Sequence, residues 1–222
     1  MAMRMVLAHG AGAGQTHPWM TRVVKALGPH GIDAATFNFP YMDAGKSVPD
    51  KPAVLEAHFA RVWKDVAGKS GSAMIAAGKS MGGRIASQVT AAGGFTPAPV
   101  ALIFFGYPLH PPNQPGKRRD AHLPRITVPM LFLHGTRDPF GTPEEMRELV
   151  ASLPTATLHL VDGGDHSLIV RRTRTSGPST AERAQRSEPG GVQGAPPMQN
   201  DSVERAVDVA ADWLTTIGVV RH

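Results

Sequence analysis

The sequence predicts an α/β fold in which a mostly parallel sheet of about six strands is covered by helices on both faces. Two patterns predict it. Short runs that are apolar throughout recur along the chain, and such runs are typical of parallel strands buried on both faces. Segments with apolar residues at helical spacing separate these runs. Because 222 residues is an ordinary domain length, we expect a single domain over residues 1–222.

The elements of the first half follow from apolar runs and turn residues. Met3–His9 is a short apolar run that enters a glycine-rich loop, so it predicts a buried strand. Pro18–Leu27 has helical spacing and is followed by a Gly-Pro stop signal. Ile32–Phe39 predicts a second strand, closed by a proline. Pro52 stands where a first-turn proline belongs and opens a helix with an apolar stripe.

The second half repeats this alternation. Ala73–Ala77 predicts the third strand, and a glycine-rich turn then leads into a helix that begins at Met81 and ends near Ala91. Three further strands and two further helices follow by the same criteria. They are the strands Val100–Phe105, Val128–Leu133 and Thr155–Val161, a helix opened at Thr142, and a closing helix over Ser202–Ile217.

One segment, residues 171–200, breaks the alternation. It is rich in Arg, Ser, Thr, Gly and Pro and nearly free of large apolar residues, so burial cannot offset its ordering entropy and we expect a mobile loop. Five arginines against two glutamates give it a net charge of +3, which leaves +2 of the chain's +5 for the rest. No aromatic residue offers a platform for stacking bases. A solvated linker is therefore predicted, and nucleic-acid binding is not.

Composition excludes several classes of site. The chain has no cysteine, which excludes disulfides, thiolate zinc sites and cysteine nucleophiles. No H-E-x-x-H or comparable spacing predicts a metal site, and no cofactor is expected. No apolar run approaches the roughly 18 residues that span a bilayer, and the first eight residues lack the apolar core of a secretory signal. We expect a cytoplasmic protein without a membrane partner.

A candidate nucleophile follows the third strand. Gly78-Lys79-Ser80-Met81-Gly82 matches the pattern G-x-S-x-G, in which a serine occupies a sharp, strained strand-to-helix turn. The neighbours two residues away must lack a Cβ for this turn to fit. A helix N-cap is the alternative role for such a serine, but it explains neither flanking glycine. We therefore interpret Ser80 as the nucleophile.

A serine hydroxyl needs a base to take its proton and an acid to orient that base. Both are expected on loops at the carboxyl ends of later strands. Asp138 follows the fifth strand, and His166 follows the sixth in a glycine-rich loop. Asp162 is a rival acid near the histidine, and Asp165 is adjacent to the histidine but is expected to point elsewhere. The sequence thus predicts Ser80, Asp138 and His166 as a catalytic triad in that chain order.

An oxyanion hole needs backbone N–H groups aimed at the negative charge that develops on the carbonyl oxygen. The N–H of Met81, directly after the nucleophile at a helix start, is one expected donor. The other is expected from the loop His9-Gly10-Ala11-Gly12 after the first strand. We favour Ala11 as this donor, with Gly12 as the alternative. The loop could instead be a glycine turn that has no role in catalysis.

Six stretches carry further motifs: LAHGAGAG (7–14), FNFPYM (37–42), GKSMGGRIAS (78–87), FGYPLHPP (105–112), HGTRDPFGT (134–142) and GGDHSL (163–168). Together they resemble the small hydrolases of the α/β-hydrolase superfamily that are related to dienelactone hydrolase. The same group includes the hydrolase-like domain in a subunit of the nonspecific-lethal histone acetyltransferase complex. The resemblance implies an α/β-hydrolase fold and the triad Ser80, Asp138 and His166. It implies no substrate, and it does not extend to the arginine-rich segment.

The spacing of the fourth and fifth strands predicts an open cleft. Many hydrolases of this fold insert a lid domain after the strand equivalent to Val100–Phe105, but here only residues 106–127, with several prolines, precede the next strand. No lid domain is therefore expected. Tyr41, Tyr107 and His110 would either line the cleft or pack within the loops.

The sequence as a whole predicts a serine hydrolase of the carboxylesterase type. It would act on ester-like acyl bonds of a small molecule through an acyl-enzyme. Acyl chain length, ester against thioester or amide, and oligomeric state do not follow from it. The alternative is a non-catalytic interaction module that keeps the hydrolase fold. Such modules often lose a triad member, whereas all three positions are filled here.

Overall fold

The described part of the chain contains six strands and six α-helices. The computed structural model describes residues 3–68, 73–171 and 201–219. The strands are β1 (Met3–Ala8), β2 (Ile32–Phe37), β3 (Ala73–Lys79), β4 (Ala101–Phe105), β5 (Met130–Gly135) and β6 (Ala156–Val161). The helices are α1 (Pro18–Leu27), α2 (Pro40–Asp43), α3 (Pro52–Ala67), α4 (Met81–Ala91), α5 (Pro143–Ala151) and α6 (Ser202–Thr216). The mobile loop predicted over residues 171–200 lies outside the described residues, except for residue 171 itself.

The six strands form one parallel sheet with the order β2-β1-β3-β4-β5-β6. The predicted α/β-hydrolase architecture, a parallel sheet with helices on both faces, is confirmed. From β1 the chain first crosses to β2 at one edge and then passes to β3 on the other side of β1. The strand order therefore reverses between β1 and β3. Open α/β sheets bind ligands at the carboxyl ends of the strands beside such a reversal.

Each face of the sheet has its own apolar core, because side chains along a strand point alternately to opposite faces. On β1, Val6 and Ala8 belong to the core that α3, α4 and α5 cover. Met5 and Leu7 belong to the core that α1 and α6 cover. Burial on both faces explains why these runs are apolar throughout. It also fixes the register of each strand, and with it the level at which the strand ends.

Local signals set the helix ends and tie neighbouring helices. α5 begins with a capping box in which Thr142 and Glu145 each accept a hydrogen bond from the other's backbone N–H, at 3.2 Å and 2.8 Å. An ion pair between Arg22 and Glu204 joins α1 to α6.

None of the described helices combines the length and the apolar character that crossing a membrane requires.

Several boundaries differ from the sequence-based prediction by one or two residues, and two of these differences have a clear local cause. β2 ends at Phe37 rather than at 39, because Pro40 opens the short helix α2, which the apolar pattern did not indicate. β5 begins at Met130 rather than at 128. Pro129 has no N–H to donate to a neighbouring strand, and pairing with β6 starts where the Met130 N–H donates to the Thr155 carbonyl oxygen at 2.8 Å.

The connection between β4 and β5 carries no lid. Residues 106–129, all of them described, contain one 3₁₀ turn, Leu123–Arg125, and otherwise irregular chain. This connection lies against the loop between β5 and α5, since the His110 N–H donates to the Phe140 carbonyl oxygen at 3.1 Å. The predicted absence of a lid domain is confirmed for this connection.

Candidate active site

Ser80 occupies a sharp turn between β3 and α4, which it joins as a single residue. Its backbone has φ 49° and ψ −116°, a strained conformation for a residue with a side chain. Glycine is needed on both sides of it. A Cβ on Gly78 would lie 2.2 Å from the Gly83 nitrogen, and a Cβ on Gly82 would lie 2.4 Å from the Ala8 carbonyl oxygen. The turn therefore holds the Ser80 hydroxyl at the carboxyl edge of the sheet.

Three side chains that are distant in the sequence form one hydrogen-bonded chain. His166 Nε2 lies 2.7 Å from Ser80 Oγ, and His166 Nδ1 lies 2.7 Å from Asp138 Oδ2. Because a carboxylate only accepts, Nδ1 carries the ring proton and Nε2 accepts from the serine hydroxyl. The Asp138 side chain is buried, whereas that of His166 keeps 19% of its surface exposed. The structure thus brings together the three residues that the sequence singles out.

The acid and the histidine are held by their own loops. Asp138 Oδ1 accepts the Phe140 N–H at 2.9 Å, which fixes the carboxylate. The Phe140 ring stacks on the His166 imidazole with centroids 4.1 Å apart. At the end of β4, Gly106 has φ 69°, and a Cβ there would lie 2.5 Å from the His166 carbonyl oxygen. These contacts restrict the imidazole to the space between the carboxylate and the hydroxyl.

Neither rival acid bonds to the imidazole. Asp162 is exposed and accepts a hydrogen bond from the Thr136 hydroxyl at 3.3 Å. Asp165 Oδ1 accepts the backbone N–H groups of Ser167 and Ile169 at 2.8 Å and 3.1 Å. Asp165 therefore shapes the loop after β6 rather than orienting the base.

Lys79, whose role the sequence did not reveal, supports the histidine loop. Its Nζ donates to the His166 carbonyl oxygen at 2.9 Å and lies 5.4 Å from the centroid of the Trp19 ring, within cation–π range. The Trp19 indole N–H donates to the Ser167 carbonyl oxygen at 2.9 Å. Burial lowers the pKa of Lys79 to about 8. The two side chains together fasten the loop that carries the base.

The pKa of His166 lies below its ordinary value of 6.5. Burial is the largest cause. The hydrogen bond to Asp138 opposes it, and the positive charge of Lys79 adds to it. The imidazole is therefore neutral at pH 7 and able to accept a proton.

The expected oxyanion donors lie beside the nucleophile. Ala11 and Met81 line the same cavity as Ser80. Within the described ranges, no protein group accepts a hydrogen bond from the backbone N–H of either residue. Gly12, the alternative donor, is the next residue along the loop and lies outside the cavity wall. An oxyanion hole needs N–H groups of this kind, without a protein acceptor and in the same cavity wall as the serine.

His9, whose role the sequence did not reveal, fixes this loop. It is fully buried at the end of β1. Its Nδ1 donates to the Gly10 carbonyl oxygen at 2.8 Å, while its Nε2 accepts the Phe39 N–H at 3.1 Å. With its carbonyl group held in this way, the Gly10–Ala11 peptide has a fixed plane, which fixes the direction of the Ala11 N–H.

One cavity of about 620 Å³ opens beside these groups. Loops after β1, β4, β5 and β6 and the N-terminal ends of α1, α3 and α4 form its wall. Tyr41, Tyr107 and His110 are not part of that wall, and they are only 1%, 1% and 5% exposed. Of the two roles that the sequence left open for them, the structure supports loop packing.

Comparisons with known proteins agree with this architecture. A family model described as an alpha/beta hydrolase domain matches residues 1–188. Among solved structures, the chain is similar to an alpha-beta serine hydrolase homologue from Coxiella burnetii, with a TM-score of 0.63, 18% sequence identity, and coverage of 76% of this chain and 78% of that one.

Two further structures show the same likeness. One is an α/β serine hydrolase without a lid from Xanthomonas campestris, with a TM-score of 0.61, 19% identity, and coverage of 74% and 73% of the two chains. The other is Est1E from Butyrivibrio proteoclasticus with ferulic acid bound, with a TM-score of 0.60, 17% identity, and coverage of 74% and 81%. At these identities the likeness establishes the fold.

Proposed function

Because the chain belongs to the alpha/beta hydrolase domain family, we propose that it is a serine hydrolase of the carboxylesterase type that cleaves ester-like acyl bonds of small molecules. The observation that carries the proposal is the hydrogen-bonded chain from Ser80 through His166 to Asp138. A strained serine and a buried carboxylate both destabilise a fold. A binding module has no need of either, so their combination favours catalysis. The serine hydrolase neighbours support the same chemistry.

Acylation begins when the Ser80 oxygen attacks the ester carbonyl carbon and His166 Nε2 takes the hydroxyl proton. As the new C–O bond forms, the carbonyl π electrons move onto the oxygen, which receives hydrogen bonds from the Met81 and Ala11 N–H groups. When this tetrahedral intermediate collapses, the imidazolium gives its proton to the departing alcohol oxygen. Asp138 stays ionised and stabilises the imidazolium.

Deacylation repeats these steps with water. The neutral His166 takes a proton from a water molecule, whose oxygen attacks the acyl carbon. The second tetrahedral intermediate releases the acid, and the proton returns from the imidazolium to Ser80 Oγ. The depressed pKa of His166 suits both steps, because the ring is neutral when each attack begins.

A fluorophosphonate probe and short p-nitrophenyl esters test the proposal. We expect the probe to label Ser80 covalently, and we expect Ser80→Ala to lower kcat for the esters by about 10⁴-fold or more. Ser152→Ala is the matched control, since the Ser152 hydroxyl only caps the end of α5 through the Leu149 carbonyl oxygen. Turnover that persists in Ser80→Ala would reject the assignment. A folded protein with neither labelling nor turnover would favour the non-catalytic interaction module.

A further inference from the structure

Two arginines line the cavity beyond the nucleophile. Arg84 and Arg119 both belong to the wall of the cavity that contains Ser80. Arg84 Nη1 donates to Gln88 Oε1 at 3.1 Å, but its Nε is buried and has no partner among the described residues. The Arg119 guanidinium forms no hydrogen bond or ion pair with any described residue. Buried donors in native proteins are almost always satisfied, so Arg84 Nε indicates an acceptor that a ligand supplies, and the half-buried Arg119 guanidinium is available to bind the same acceptor.

Arg84 lies one helical turn after the nucleophile and lines the same cavity. Arg84 lies four residues after Ser80, and its N–H donates to the Ser80 carbonyl oxygen at 3.1 Å. Residues four apart share a helix face, and side chains lean toward the N-terminal end of the helix. The Cα–Cβ bond of Arg84 therefore tilts toward the nucleophile, whereas its Nη1 donates to Gln88 Oε1, one turn further along α4. The N-terminal end of α4 adds a positive partial charge to the same region.

The backbone of Arg119 is fixed before any ligand binds. Its N–H donates to the Leu109 carbonyl oxygen at 2.8 Å, and its own carbonyl oxygen accepts the Tyr107 hydroxyl at 2.7 Å. Tyr107 is only 1% exposed, which makes it a rigid support. A charged side chain on a fixed backbone loses less entropy when it binds an anion.

The charge of the cavity wall is positive. Among the described residues that form it, Asp50 is the one carboxylate, against Lys79, Arg84 and Arg119. Neither arginine forms an ion pair within the described part of the chain. Burial and the nearby charge of Arg119 lower the pKa of Arg84, while Tyr107 and Glu56 raise it. A guanidinium nevertheless keeps its proton in proteins, so two like charges lie close together.

We propose that Arg84 and Arg119 form an anion-binding subsite, and that the substrate is an ester that carries an additional ionised group, either a carboxylate or a phosphate. Planar guanidinium groups bind both kinds of oxyanion through charge-assisted hydrogen bonds. The anion would satisfy Arg84 Nε and separate the two like charges. This inference rests on the proposed function, since it names the substrate class of the same cavity.

Two matched ester pairs test the subsite and identify the source of the anion. Monomethyl glutarate and methyl pentanoate differ by a carboxylate in place of a methyl group at the acyl end. The 3-phosphate of 1-acetylglycerol and 1-acetylglycerol itself differ by a phosphate at the alcohol end. We expect kcat/KM for the ionised member of one pair to exceed that of its neutral partner by about 10- to 100-fold.

Three variants locate the preference. We expect Arg84→Gln and Arg119→Gln each to lower the ratio of ionised to neutral kcat/KM by about tenfold or more. Arg118→Gln is the matched control, because Arg118 lies outside the cavity wall and pairs with Asp120 at 2.6 Å; its ratio should equal that of the wild type. Each ratio compares two substrates on one protein, so a partly misfolded sample does not alter it.

The outcomes separate the two proposals. If neutral esters are cleaved in a Ser80-dependent way, but neither pair shows a preference or both arginine variants keep it, the subsite is wrong and the hydrolase stands. If no ester is cleaved, the hydrolase assignment fails. Calorimetric titration of the protein with glutarate and with inorganic phosphate then tests the subsite alone. Absence of binding, or binding that is unchanged in Arg84→Gln and Arg119→Gln, would overturn it.

Discussion

At the scale of the residue, the proposed chemistry depends on how readily His166 accepts a proton. Only the neutral ring can take the serine proton, so the rate falls on the acid side as the imidazole becomes protonated. Burial and the charge of Lys79 hold the pKa of His166 below 6.5, against the opposing effect of Asp138. Lys79 is the neighbour that can be altered most cleanly, because its Nζ bonds to the histidine backbone and not to the ring.

We predict that Lys79→Met raises the midpoint of the acid limb of kcat/KM for a neutral ester. A positive charge near the imidazole disfavours its protonated form, so removing that charge raises the pKa of His166. The wild-type midpoint should lie below pH 6.5, and the variant should lose activity at a higher pH than the wild type. Rates measured from pH 4.5 to 8 give both midpoints.

Lys79→Arg is the control for this prediction, since it keeps the charge beside the histidine. Its midpoint should stay within about 0.3 pH units of the wild type, because the charge that acts on the imidazole is retained. Equal midpoints for Lys79→Met and the wild type would show that the lysine charge does not act on the base. Any change in kcat would then be due to the lost hydrogen bond between Lys79 Nζ and the His166 carbonyl oxygen.

Residues with a local signature could be predicted from the sequence, and those defined by distant contacts could not. Ser80 stands between glycines, and Asp138 and His166 stand at strand ends, so short patterns single them out. His9 and Lys79 have no such pattern. His9 bonds across 30 residues and Lys79 across 87. Pairings at that distance follow from the folded sheet and not from neighbouring sequence.

At the scale of the element, the elbow depends on the close approach of α4 to the end of β1. A Cβ on Gly82 would lie 2.4 Å from the Ala8 carbonyl oxygen and 2.6 Å from that of His9. Both contacts are with backbone, so no side-chain rotation can relieve them. The proposed oxyanion hole requires this close approach, because the Met81 N–H and the loop after β1 would have to face the same oxyanion.

We predict that Gly82→Ala lowers the free energy of unfolding by about 3 kcal/mol or more, since the added methyl group overpacks a rigid contact. Gly28→Ala is the matched control. Gly28 has φ −54°, and a Cβ there would meet nothing within 4 Å, so its effect should stay within about 0.5 kcal/mol. Urea unfolding of the three proteins measures both changes. Equal stability of the two variants would contradict the proposed contact.

The elements themselves were largely predictable, because strands buried on both faces have a distinctive composition. The short helix α2 was not. Its four residues are too few for an apolar period, and the proline at its start indicates, in the sequence alone, only the end of β2. The strand order was also beyond prediction. Which strands pair depends on how the two cores close over the whole sheet.

At the scale of the whole molecule, the reversal of strand order brings separate loops to one place. The loop after β1 and the turn after β3 meet at the reversal, and the loops after β5 and β6 bring Asp138 and His166 beside them. The two apolar cores hold the ends of these strands at one level. Side chains from loops that are far apart in the sequence are therefore placed precisely, because the rigid sheet holds the loops that carry them.

The open connection between β4 and β5 predicts how the whole molecule responds to insoluble substrate. A lid that opens at an oil–water interface produces a steep rise in rate once an ester exceeds its solubility, because lid opening gates access to the site. Residues 106–129 form no such lid, and the cavity beside Ser80 is open in the described part of the chain. We therefore expect the rate on tributyrin to follow one hyperbolic curve through the solubility limit. Initial rates on either side of that limit, with p-nitrophenyl acetate as the fully soluble control, test this; a sharp increase at the limit would mean that some part of the chain covers the cavity in solution.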